Sequence, residues 1–324
     1  MSQVKNTIFI KLMKKDGNVI GHAVSSDKEF PANEEDSAPP TALSDLDEEL
    51  IEAIQSFYAS MIIYLDFIPA VLDLVPAISS EAIILAIEAF LEKEKVSKEE
   101  LSDGIVFEVT SDSYSEFSKL AGIVEPTFDV QSTLAKNVLM GMVAVLDSHI
   151  MTLLRIVCRH RPEAVFASSD TVLVKDVIAS GNIEDFKELL IGNEVEKISW
   201  VSLSDQMDWF QKKLNLDPIS KNYKNWKLLG EVVQRRHLFA HTNGRVSTQY
   251  VSNSKEYGYD VKDVVIGSRL GVGSDYFKEA VSCVFEFGIM LAHVIRRKTS
   301  ENKDDEADSA LNQLAFNLLQ RGDY

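Results

Sequence analysis

Residues 231–244 place two adjacent arginines, Arg235 and Arg236, beside two of the chain's six histidines, His237 and His241. A guanidinium keeps its charge at any physiological pH, whereas an imidazole holds or releases a proton near neutrality. That pairing suits a phosphate-bearing substrate, with arginine for the anion and histidine for proton transfer. The spacing predicts a helix over residues 223–241. Trp226, Leu229, Val233 and Ala240 fall on one apolar stripe, and Asn243-Gly244 supplies a stop that tolerates the left-handed conformation. On that helix His237 and His241, four apart, share a face. Arg236 and His241, five apart, are offset by more than a third of a turn and do not stack directly. The same residues also fit a surface helix end whose basic groups face the negative end of the helix dipole.

The 324-residue chain carries a net charge of −17, and 45% of its residues are hydrophobic. That length suggests one large or two ordinary domains with a sizeable core. The charge is lopsided. Residues 1–130 hold nine lysines, no arginine and 25 acidic residues, a net of −16, while residues 131–324 sit at −1. Every arginine lies at or after Arg155. The acidic half disfavours direct binding of nucleic acid or anionic membrane there, but does not argue against an anionic ligand in the second half. From residue 209 to 245 eight lysines and arginines, Lys227 among them, face only Asp217 and Glu231. This is a basic face beside the Arg/His group, with Tyr223 and Trp226 available to stack on bases if they are not core. Arg155, Arg159, His160 and Arg161 close another helix without an acidic residue. They either line the same groove and track an RNA backbone or form a solvated helix end on its dipole.

Other chemistries find no footing. No Walker loop, Gly-x-Ser-x-Gly elbow, His-Glu-x-x-His or Cys/His metal spacing is present, and residues 267–273 read as a turn. His149 and His293 lie in apolar helical patterns and read as structural. Cys158 and Cys283 read as buried small hydrophobes, in keeping with a reducing cytoplasm. The first 15 residues lack a signal-peptide pattern. The most apolar stretch, residues 57–77, is broken by Asp66, Pro69, Asp73 and Pro76, so it predicts buried helices rather than a membrane span.

The elements that must carry these groups are mainly helical. A small α+β N-terminal part spans residues 1–130: a hairpin around Asp16-Gly17, an acidic linker over 27–49, helices over 45–67 and 79–94, and a strand at 105–109. A domain boundary is expected at 122–129, around Pro126. A helical domain over 131–300 follows, opening with a long helix from Thr133 to His160 and closing with another over 274–297. Shorter helices are expected near 171–179, 183–191 and 204–214, and an irregular or weakly β stretch over 250–266. An acidic break and a short amphipathic helix, with Leu311, Leu314, Leu318 and Leu319, occupy 301–324.

Arg236-His237-Leu238-Phe239-Ala240-His241 resembles the signature of the HEPN superfamily (higher eukaryotes and prokaryotes nucleotide-binding): Arg, a polar residue, three more residues, then His. The context is similar too, with a preceding Arg235, an Asn243-Gly244 turn, then Val246 and Tyr250. The resemblance covers residues 133–297, about half the chain, and does not reach the acidic N-terminal part. It implies a HEPN-like α-helical bundle that forms homodimers, and a cofactor- and metal-independent endoribonuclease of a bacterial toxin, abortive-infection or antiphage defence system. Carried over residue by residue, Arg236 would stabilise the scissile phosphate. His241 would act as general acid/base or orient the 2′-hydroxyl, and His237 would support them. Arg235, Asn243, Arg155, Arg159, Arg161 and Lys227 are the further candidates for contacting RNA. The acidic part would sense or bind a regulatory partner such as an antitoxin. Asn243 stands where one toxin subgroup has a tyrosine, so regulation through that tyrosine is not implied. The alternative is a non-catalytic HEPN interaction or nucleotide-binding module in a larger complex; a helical protein bearing a chance motif is the third reading.

Overall fold

The structure is a computed structural model that describes residues 9–15, 18–25, 44–68, 85, 87–93, 97–101, 104–108, 110–166 and 171–299. Fifty residues form one helix, Ser111–His160. The Thr110 hydroxyl starts it by accepting from the Ser113 N–H at 3.3 Å, satisfying one of the orphan donors of the first turn. The helix begins 22 residues before Thr133 and runs through Pro126, where a boundary is expected. A proline removes one helical hydrogen bond and bends a helix, but does not have to end it.

In chain order the described elements are strands β1 (Phe9–Lys15) and β2 (Asn18–Ser25), helix α1 (Asp45–Ile62) with a π-helical turn (Ile63–Phe67), and strands β3 (Ser97–Leu101) and β4 (Gly104–Glu108). Then come α2 (Ser111–His160), α3 (Pro162–Val165), α4 (Val174–Ser180), α5 (Ile183–Ser199), α6 (Leu203–Leu214), α7 (Ile219–Asn222), α8 (Trp226–Thr242), α9 (Thr248–Glu256) and α10 (Ser274–Thr299). The protein is therefore mainly helical. The strands make two antiparallel ribbons, β1 with β2 and β3 with β4.

The core follows from helical spacing. Leu139, Met142, Leu146, Ile150, Leu153 and Val157 recur at steps of three and four along α2 and are fully buried. Leu50, Ala53, Ile54, Phe57 and Met61 of α1 meet them from one side, and Phe277, Val281, Val284, Phe287, Leu291 and Ile295 of α10 from another. Residues 132–160 are long and apolar enough, by composition alone, to cross a membrane, but more than half of the most apolar 18-residue window is buried within the bundle.

The chain divides into two compact units between Ser44 and Asp45, not within 122–129. The reason is α1, whose apolar stripe belongs to the α2–α10 core. Its carboxylates also serve the second half. Asp47 accepts from the Arg296 Nε at 3.3 Å with both side chains 2% exposed. Glu49 pairs with Arg159 and His160, each at 3.1 Å. The expected irregular stretch over 250–266 is corrected as well. Its first part is helix α9, started by the Ser247 hydroxyl accepting from the Tyr250 N–H at 3.1 Å. Serines, asparagine and valine lower the intrinsic helix preference there, and packing on α8 overrides it. The Asp16-Gly17 turn, most of the 27–49 linker, the start of the 79–94 helix and all of 301–324 lie outside the described residues.

Candidate functional site

Helix α8 carries the Arg/His group and is anchored on several sides. Trp226, Leu229, Val232, Val233 and Phe239 enter the main core, whereas Leu238 joins Val246, Tyr250 and Val261 in a smaller cluster. Ala240, expected on the stripe, is exposed. The stop works as expected. Asn243 (φ 50°) and Gly244 (φ 84°) are left-handed, and the Gly244 N–H returns to the Leu238 carbonyl at 3.2 Å. A Cβ at Gly244 would lie 2.7 Å from the Leu270 carbonyl oxygen, so the close approach of the 267–270 turn requires glycine.

Two adjacent arginines have different fates. Arg235 turns inward, donating to the fully buried Glu231 at 2.7 Å and to the Gly271 carbonyl at 3.1 Å, with its guanidinium 3.8 Å from the Tyr276 ring centroid. The Tyr250 and Tyr276 hydroxyls both donate to Glu231 at 2.6 Å. Burial and that carboxylate push both phenols up, so they remain protonated donors. Arg235 is thus engaged by the core and is not in the cavity lining; one step along a helix turns a side chain by about 100°.

Arg236 turns the other way. It lines a cavity of about 550 Å³ together with His237 and His241. The imidazoles are stacked, with centroids 6.3 Å apart and planes at 11°. Arg236 Nη1 lies 3.4 Å from His237 Nδ1, and its Nη2 donates to Asp147 Oδ2 at 3.3 Å. Partial burial, reinforced by the Arg236 and His241 charges, holds the His237 pKa below the usual histidine value. His237 is therefore neutral at pH 7 and able to accept a proton. Burial raises the Asp147 carboxyl against the opposing pull of Arg236. The remaining wall is mixed: Met151, Val201, Leu203 and Val233 are apolar, while Gln206 from α6, Gln234 from α8, and Gln249 and Asn253 from α9 offer amides. Asn253 donates to Gln234 at 2.9 Å.

The other candidates are not brought to this cavity. Arg155 and Arg159 lie about 12 Å and about 18 Å further along the α2 axis than Asp147, by helical rise. Glu188 pairs with both, at 3.9 Å and 3.1 Å, and Arg161 pairs with Glu163 at 2.8 Å. Carboxylates from the acidic stretch and from α5 thus occupy the cations expected to track an RNA backbone. Lys227 is exposed, about 13 Å before Arg236 along α8. Asn243 closes the helix and accepts from the Lys136 ammonium at 3.3 Å. Tyr223 and Trp226 are buried, so neither stacks on a base. His149 and His293 are buried as expected, and so are the free thiols Cys158 and Cys283.

Sequence reasoning missed Asp147 and the α9 wall. Asp147 left a signal: it is the sole acidic residue between Gln131 and His160. No signal tied it to Arg236, 89 positions away. Among the described residues, no three His, Cys, Asp or Glu side chains gather as a metal-binding group. No protein-family model, curated protein or solved structure matches this chain.

Proposed function

We propose that the chain is a HEPN-type endoribonuclease that cleaves RNA at the Arg236–His237–His241 cavity, within a bacterial toxin or phage-defence system. The observation that carries the reading is one cavity holding an ionised arginine and two stacked imidazoles, one of them neutral at pH 7. RNA supplies its own nucleophile, so the protein need only move protons and stabilise a developing anion. One imidazole of the His237–His241 pair takes the 2′-hydroxyl proton as O2′ attacks phosphorus. The P–O5′ bond breaks, and the other imidazole delivers a proton to the departing O5′. The products are a 2′,3′-cyclic phosphate and a 5′-hydroxyl. Arg236 neutralises the phosphorane oxygens, which requires that it exchange Asp147 for phosphate. The resemblance adds a homodimer that brings two such cavities together into a composite site, needs no cofactor, and places the protein in the cytoplasm.

Purified Arg236→Ala and His241→Ala proteins should lose RNA cleavage by two or more orders of magnitude while keeping the wild-type circular dichroism and melting temperature. Unchanged cleavage in both would refute the assignment. The Asp147–Arg236 contact favours one second reading, a module that binds a partner and does not cleave. Such a module would show no cleavage under any condition while holding a partner through this face.

A further inference from the structure

A base-stacking group beside a phosphate site is expected of a protein that grips single-stranded RNA, yet Tyr223 and Trp226 are core residues. The chain has three tryptophans; Trp209 and Trp226 are 7% and 9% exposed, whereas Trp200 is 83% exposed. An indole this bare leaves a large, flat apolar face free to stack on a planar ligand. Its position is specific. Trp200 caps α5 at the rim of the cavity that holds Arg236, His237 and His241: its neighbours Ser199 and Val201 line that cavity, while the indole itself stands outside the lining.

The backbone that presents Trp200 is held in place. The Gln206 amide donates to the Ile198 carbonyl at 3.3 Å, and the Ser202 hydroxyl accepts from the Asp205 N–H at 3.2 Å, starting α6 directly after it. A fixed loop presenting a bare indole loses little entropy when a planar ligand stacks on it. The cavity wall beside it offers amide and hydroxyl groups, the hydrogen-bonding complement of a base edge.

We infer that Trp200 is the stacking platform for one unpaired base of an RNA strand whose neighbouring phosphate lies against Arg236 and the histidine pair. The substrate class is therefore single-stranded or looped RNA, because a base paired within a duplex cannot present its face. This rests on the proposed RNA-cleaving function, and the two separate experimentally.

The test uses full-length His241→Ala protein, with and without Trp200→Ala or Trp200→Phe, binding a fluorescein-labelled 12-nucleotide RNA of mixed sequence, single-stranded or annealed to its complement. The expected result is preference for the single strand, weakened about 10-fold by Trp200→Ala and largely kept by Trp200→Phe. Equal single-strand affinity in the Trp200→Ala protein overturns the inference even if the wild type cleaves RNA. No measurable binding of the single strand by any variant overturns it too. Loss of binding on Trp200→Ala in a protein that never cleaves supports the platform and removes the enzyme. If Trp200→Ala instead alters the monomer–dimer equilibrium, read by light scattering, with RNA affinity unchanged, the indole is a contact between copies and the inference fails.

Discussion

Arg235 and Arg236 show how much one position decides. Both were visible in the sequence as cations at a helix end; only their neighbours separate a buried Glu231 partner from a cavity wall. Arg236 meets Asp147 with side chains 30% and 42% exposed, so the pair is worth at most about 1 kcal/mol. In Asp147→Asn, Arg236 no longer faces a competing carboxylate, and RNA affinity measured on a His241→Ala background should rise up to about five-fold at low salt. A fall would mean that Asp147 positions Arg236 instead of competing for it. His237 makes a second residue-scale prediction. Its pKa is lowered in the folded protein, so its proton NMR titration should have a midpoint below 6.5. Substituting Arg236→Gln should move that midpoint upward, because a repelling charge is gone. A midpoint unmoved by that change would remove Arg236 from the electrostatics of the site.

Elements were more legible than contacts. The apolar stripes of α1, α2, α8 and α10 follow helical spacing, and the Asn243-Gly244 stop has a local cause, so all were readable. Helix α9 and strand β3 were not, because Ser-, Asn- and Glu-rich segments acquire their conformation from what they pack or pair against. Between α1, α2 and α10, His149 stacks on Phe57 at 4.2 Å and donates from Nε2 to the Gly288 carbonyl at 3.2 Å. Burial lowers its pKa to about 4. The unfolded chain takes up that proton near pH 6.5, so stability is lost as pH falls from 6.5 towards 4, by about 3 kcal/mol in all. Denaturant titrations should show that loss in the wild type and much less of it in His149→Gln; equal pH slopes would contradict the assignment. On α8, Gly230 lies against the Tyr257 ring, where a Cβ would overlap it. Gly230→Ala should therefore destabilise by about 1–3 kcal/mol, although alanine is the better helix former.

For the whole molecule, the acidic and basic halves read from the sequence are partly one electrostatic unit. Asp47 and Glu49 from the acidic stretch sit on Arg296, Arg159 and His160, so charge counted by sequence position overstated the separation. Pairings across hundreds of positions leave no local trace in a sequence, which is why the place of α1 beside α2 and α10 was not legible there. A fragment of residues 131–300 strips α1 from the core and leaves Arg296 buried without its Asp47 partner, a loss of about 3–5 kcal/mol from that pair alone. That fragment should fail to melt cooperatively, and residues 45–324 should fold; two cooperative melts would restore the boundary at 122–129. The central claim is that the cavity on α8 cleaves RNA with its own histidines and arginine. Its most direct test incubates wild-type and His241→Ala protein with an RNA oligonucleotide in EDTA, alongside the same oligonucleotide with 2′-deoxyribose at the cleaved position. Cleavage by the wild type alone, leaving a 2′,3′-cyclic phosphate and sparing the deoxy substrate, is the predicted result. Equal cleavage by His241→Ala, or cleavage of the deoxy substrate, would contradict it.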